Sequence, residues 1–273
     1  MSLSRIEALL PDLALAARVA LRLQRQGPLE LPVKGEHDNV MGQALTIADP
    51  VVQAFLEARL PAVRLELEEE PYQFRDPVPE GSQGTIWVDP IDGTRYYADG
   101  LPTFGISLAW THRGRLEGAV YVVPADDRAF VAGRGEGAFE VGLPGTAQEG
   151  RRRPVSLDEG EHVVWSRASA PVRAALAEQG RTVVDPSTAY DPTLAVAAWH
   201  VLSGPVGAIV WERGAHVRDG AVIAMVAQEA GATVQTLDGT PWDGRFGPEG
   251  RTPGLVVATT DAIARVMRAS RAS

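Results

Sequence analysis

Cysteine is absent from the 273 residues. That excludes a disulfide framework, a thiolate zinc site and thiol catalysis. Lysine is nearly absent: of 26 basic residues only Lys34 is a lysine, and the rest are arginine. Where arginine has replaced lysine at generic surface sites, a lone lysine marks a position that could need a compact ammonium. No apolar run approaches the roughly 20 residues of a membrane span. Met1-Ser2-Leu3-Ser4-Arg5 shows no basic stretch followed by an apolar one, so a cytoplasmic protein without a membrane partner is expected. Basic charge is in deficit, 26 Lys+Arg against 35 Asp+Glu for a net charge of −9, which argues against a nucleic-acid partner. What remains is ordinary globular composition, 45% apolar and 22% charged, in a chain long enough for one large domain or two modest ones.

Ser4-Arg5-Ile6-Glu7 reads as a capping box. Apolar residues at helical spacing from Ile6 to Leu21 predict a helix to about Arg25, with a kink at Pro11. Asp49-Pro50 starts a second predicted helix that runs to about Arg59. Val63 to Leu67 alternates as a strand, and Thr85 to Val88 reads as a buried strand ending at Asp89. Segments 104–112, 116–123 and 128–132 predict an antiparallel meander, with Gly133-Arg134-Gly135-Glu136-Gly137 as a hairpin turn. The Gly/Pro/Arg-rich stretch 142–154 predicts a boundary between an N-terminal α+β half, 1–145, and a C-terminal α/β half, 150–273. The second half alternates strands at 162–166, 181–185, 206–211, 232–236 and 255–259 with helices at 171–179, 192–202, 219–230 and 261–270. His37, His112, His162, His200 and His216 are scattered and read as structural.

Chemistry concentrates in Trp87-Val88-Asp89-Pro90-Ile91-Asp92-Gly93-Thr94. Asp89 stands at the C-terminal end of a strand, where α/β proteins place their ligand sites. Asp92 follows on a tight turn, so both carboxylates can converge. Gly93 allows close backbone approach, and backbone N–H groups beyond it suit an anion, phosphate above all. Carboxylates without His or Cys favour a hard cation such as Mg²⁺. The same letters also spell a common polar turn. Two further features favour the cation: the acidic run Glu66, Glu68, Glu69, Glu70 after a strand, and Asp219 at a strand-to-helix junction. Asp219 would also serve as a plain helix cap.

Asp89-Pro90-Ile91-Asp92-Gly93-Thr94 resembles the signature of the inositol monophosphatase family, Mg²⁺-dependent and lithium-sensitive phosphatases. Thr46-Ile47-Ala48-Asp49, Glu69-Glu70, Pro102-x-Phe104-x-x-Ser107, Gly135-Glu136-Gly137-Ala138-Phe139 and Glu229-Ala230-Gly231 are similar to further family motifs in the same order. The resemblance implies a layered αβαβα sandwich of the inositol monophosphatase/fructose-1,6-bisphosphatase type, with the site between the halves. It implies two or three Mg²⁺ per site, held by Glu69, Asp89, the Ile91 carbonyl, Asp92 and Asp219. Glu68 or Glu70 could replace Glu69, which the spacing to Asp89 favours.

Asp89, Glu69 and Thr94 would be catalytic, Glu69 and Thr94 positioning the attacking water. Asp92, Gly93, Thr94 and Glu212 would bind substrate, Lys34 would lie near the metals, and Asp49 would hydrogen-bond the threonine. A small phosphorylated metabolite and a homodimer are the implied partners. Arg95-Tyr96-Tyr97, Arg218 and Gly220-Ala221 depart from the family pattern. A 3′(2′),5′-bisphosphate nucleotidase, a fructose-1,6-bisphosphatase, a histidinol-phosphatase and a non-catalytic paralogue stay as alternatives. Arg95, Arg167 and Arg218 are candidates for a second phosphate.

Overall fold

The computed structural model describes residues 2–26, 51, 54, 58, 64–67, 84–157, 162–165, 169–184, 201–202, 206–259 and 266. The N-terminal helix differs from expectation in two ways. It starts earlier, with α1 (Leu3–Glu7) preceded by Ser2, so Ser4 is inside the helix and caps nothing. The Glu136 carboxylate accepts the Leu3 N–H at 2.9 Å, so a residue distant in sequence supplies the cap that the local motif promised. It also breaks at Ala8-Leu9 and restarts as α2 (Leu10–Arg25), with Pro11 in the first turn. There the missing proline N–H leaves no helical bond unmade.

Seven strands follow one another across the first sheet: β1 (Arg64–Leu67), β2 (Gly84–Asp92), β3 (Gly105–His112), β4 (Arg115–Val123), β5 (Arg128–Gly133), β6 (Gly137–Gly142) and β7 (Arg152–Pro154). β1 runs parallel to β2, and every later neighbour is antiparallel, as the meander predicts. Part of the stretch read as a linker thus serves as the edge strand β7. A short helix, α3 (Thr94–Ala98), links β2 to β3.

The second sheet has the order β11-β12-β10-β8-β9. Its strands are β8 (His162–Trp165), β9 (Thr182–Val184), β10 (Val206–Trp211), β11 (Thr233–Thr236) and β12 (Leu255–Ala258), with helices α4 (Ala170–Glu178) and α5 (Gly220–Glu229) between them. The helices expected over 49–59, 192–202 and 261–270 lie largely outside the described residues; Val51, Ala54, Val201, Leu202 and Val266 are helical.

Burial sets the layers. Leu3, Ile6 and Leu13 of α1 and α2 pack with Ile86, Ile106 and Val120 on one face of the seven-stranded sheet. Its other face, with Ala109, Tyr121 and Phe130, packs on α5 and on Ile209, Trp211 and Val257 of the second sheet. α5 is covered from both sides, every residue from Ala221 to Ala227 being fully buried; such a helix has no polar stripe. The far face of the second sheet, Ala208, Val210 and Val256, carries Val172 and Leu176 of α4. The order α, β, α, β, α is the expected sandwich. Among the described residues no helix is long and apolar enough to cross a membrane.

Candidate active site

The site begins with a bulge. Asp89 is paired with Ser107 and Asp92 with Gly105, so three steps on β2 match two steps on β3. β2 therefore does not stop at Asp89 as the sequence suggests; it continues through Pro90 to Asp92. A proline that would break a ladder is tolerated where a bulge has opened it. The extra residue matters for side-chain direction. Residues three apart on a regular strand face opposite ways, whereas residues opposite Ser107 and Gly105 face the same way. The bulge thus turns both carboxylates to one side of the sheet, where Asp89 is 5% and Asp92 0% exposed. The Asp89 carboxylate accepts the Ile91 N–H at 3.0 Å, which closes the turn from within. Gly93, at φ +88°, then takes a left-handed conformation that a side chain would resist.

Two hydroxyls of one cross-strand row hold this corner. Asp89, Ser107 and Tyr121 stand level across β2, β3 and β4. The Tyr121 hydroxyl donates to Asp92 Oδ2 at 2.8 Å. Burial first, then the charge and hydrogen bond of Asp92 and the charge of Asp89, hold that hydroxyl well above the ordinary tyrosine range. It is a protonated donor next to a strongly negative pole. The Ser107 hydroxyl donates to the Arg218 carbonyl. This bond crosses from the first sheet to the junction between β10 and α5 and tethers the residue before Asp219 to the strand beside Asp89.

Asp219 itself caps α5, accepting the Gly220 N–H. The Arg218 guanidinium turns away onto His216, donating from Nε to Nδ1 at 3.1 Å. Burial, together with the Arg218 and Arg251 charges, pushes His216 down to about 4, so its imidazole is neutral and can accept. Trp87 meets its ring edge-on at 5.7 Å.

Thr94 opens α3 and donates its hydroxyl to the Ile91 carbonyl at 2.9 Å. That carbonyl keeps a second lone pair. Glu212 is exposed just beyond β10. β1 ends at Leu67 opposite Val88, the neighbour of Asp89, so the chain leaves β1 at the sheet end where the carboxylates stand. Glu69, its alternatives Glu68 and Glu70, Lys34 and Asp49 lie outside the described residues. Among the described residues no three His, Asp or Glu side chains form an ion-sized group. The described residues place Asp89 and Asp92 on one buried face and do not gather Asp219 into an ion-sized group with them; the pair is an all-oxygen, negative set of the kind a hard divalent cation takes.

Sequence reasoning missed Tyr121, which reads as a core aromatic, and gave Ser107 no role. It also missed Tyr97, whose buried ring stacks edge-on against Phe104 at 4.9 Å. The Tyr97 hydroxyl donates to the Ala20 carbonyl at 2.7 Å, anchoring α3 on α2. The meander register was the signal that could have found Tyr121, because it sets that residue level with Ser107.

The comparisons agree with this architecture. The sequence profile of the inositol monophosphatase family matches residues 6–271. An inositol-1-monophosphatase of Mesorhizobium japonicum is 29% identical over 249 residues, 88% of this chain and 85% of its own. A histidinol-phosphatase of Chlorobaculum parvum is 31% identical over 172 residues, 59% of this chain; the match spans 64% of that relative's length. The crystal structure of the extragenic suppressor protein SuhB from Bartonella henselae superposes with a TM-score of 0.71 at 21% identity, covering 98% of each chain. With its sandwich, its Asp-Pro-Ile-Asp-Gly-Thr corner and a profile match over nearly all its length, this chain belongs to the inositol monophosphatase family.

Proposed function

We propose that the protein is a Mg²⁺-dependent phosphatase that hydrolyses a small phosphate monoester, an inositol monophosphate or a similar polyol or sugar phosphate. The observation that carries this reading is the bulge in β2 that turns Asp89 and Asp92 to one buried face. In the proposal these two carboxylates and the Ile91 carbonyl, with Glu69 and Asp219, hold the ions. When bound, the ions would supply neutralisation of phosphate oxygens, a more acidic water and stabilisation of a departing alkoxide.

The chain's own groups do the rest. The Thr94 hydroxyl donates its hydrogen bond to the Ile91 carbonyl, so its oxygen is left to accept from the attacking water and to orient it, with Glu69 as the base. The Gly93 and Thr94 N–H groups steady the phosphate. Glu212, exposed beyond β10, accepts a substrate hydroxyl. Water attacks in line, the phosphorus–alcohol bond breaks, and no residue is phosphorylated. Of the three arginines offered for a second phosphate, Arg218 is engaged with His216, and Arg167 and the Arg95 side chain lie outside the described residues.

The test is phosphate release from inositol 1-phosphate, histidinol phosphate, fructose 1,6-bisphosphate and a nucleoside 3′,5′-bisphosphate, each with Mg²⁺ and with EDTA. The reading expects Mg²⁺-dependent release from a monophosphate. No release from any substrate would favour a binding protein that keeps the fold without the reaction.

A further inference from the structure

We propose that Tyr121 is a positioning residue for the metal centre: through its hydroxyl it fixes the plane of the Asp92 carboxylate, and Gly105 is the notch that lets it do so. The inference rests on the reading of Asp92 as a metal ligand and adds a residue that no ligand set includes.

Three observations carry it. The hydroxyl donates to Asp92 Oδ2 at 2.8 Å, which ties one carboxylate oxygen to the ring. The ring is locked, 2% exposed and packed in the core between the first sheet and α5, so the donor cannot swing away. The ring also reaches Asp92 by passing over the neighbouring strand. Asp92 lies opposite Gly105 and Tyr121 opposite Ser107, so the path from Tyr121 to Asp92 is the diagonal over Gly105. A Cβ on Gly105 would stand 2.5 Å from both Cζ and the hydroxyl oxygen of Tyr121. The strand is bare of a side chain at the one place where the tyrosine crosses it.

Partners that orient a metal ligand typically change metal affinity about 10- to 100-fold when removed. A tyrosine that merely fills the core would move stability and leave affinity alone. The test is calorimetric titration of the full chain with Mg²⁺ alone, for wild type, Tyr121→Phe and Asp92→Asn, each checked for cooperative thermal unfolding. The expected result is a dissociation constant about 10- to 100-fold higher for Tyr121→Phe, with Asp92→Asn weaker still.

Wild-type affinity in Tyr121→Phe alongside a loss in Asp92→Asn overturns the role of Tyr121 and leaves the metal site standing. Wild-type affinity in Asp92→Asn overturns the reading of Asp92 as a metal ligand, and with it the inference. Should Tyr121→Phe fail to fold, Gly105→Ala is titrated in its place under the same check of cooperative unfolding: its Cβ would crowd the hydroxyl from 2.5 Å and disturb the bond to Asp92, so the same loss is expected and an unchanged constant refutes the proposal.

Discussion

Replacing Asp92 with Asn should raise the stability of the metal-free protein and lower it, relative to wild type, once Mg²⁺ is present. The structure sets the size of the first effect. Asp89 and Asp92 lie opposite Ser107 and Gly105, two residues apart on β3. That span is about 6.6 Å on a regular strand, and two like charges at such a separation repel by about 2.5 kcal/mol at an effective dielectric near 20. Asparagine removes that repulsion but keeps a carbonyl oxygen for the Tyr121 hydroxyl. Exchanging a charge-assisted hydrogen bond for a neutral one costs about 1 kcal/mol. The net expectation in EDTA is a gain of about 1.5 kcal/mol for Asp92→Asn.

Mg²⁺ reverses the order. An ion at 100 times its dissociation constant stabilises wild type by about 2.7 kcal/mol, and the variant gains little. Urea unfolding in EDTA and in saturating Mg²⁺ reads both signs. A variant less stable than wild type in EDTA, with the same response to Mg²⁺ as wild type, would refute the reasoning: the carboxylates would then be a satisfied structural pair rather than a charge cluster built for a cation.

Ser107→Ala removes the bond to the Arg218 carbonyl and leaves that acceptor partly buried; a loss of about 1–3 kcal/mol in denaturant unfolding is expected, with weaker Mg²⁺ binding because the segment carrying Asp219 is released from β3. His216 has a folded value of about 4 and an unfolded value near 6.5. Between these values the unfolded chain binds a proton that the folded one does not. The stability contribution of neutral His216 is therefore intact above about pH 6.5 and is lost as pH falls towards 4. Unfolding across pH 4 to 7 should show a steeper decline in wild type than in His216→Gln; parallel curves would remove His216 as the cause.

Much of the fold was legible because its signals are local. The meander strands alternate and end at short turns, and β10, α4 and α5 sit within a residue or two of the periodicity. The capping box failed for a physical reason: Leu3 and Ile6 are buried on the sheet, and Glu136, far along the chain, caps the helix from outside. Local chemistry was overruled by packing. The convergence of the carboxylates was expected from a tight turn after the strand, but the device that turns both to one face is a bulge within it. Pro90 reads as an exit from the sheet, whereas the ladder opens into a bulge and continues, and a bulge is visible only against the partner strand. Tyr121 was hidden for a similar reason. In its own strand, Ala119-Val120-Tyr121-Val122, it is one more apolar residue, and its hydroxyl gains meaning only from the pairing of β2, β3 and β4.

Phosphate release from a monophosphate ester, followed for wild type and Asp89→Asn at fixed Mg²⁺ and in EDTA, tests the central claim most directly. The account predicts turnover in wild type that stops in EDTA and none in a folded Asp89→Asn. Release that is indifferent to Mg²⁺, or that survives the loss of the Asp89 charge, would contradict it.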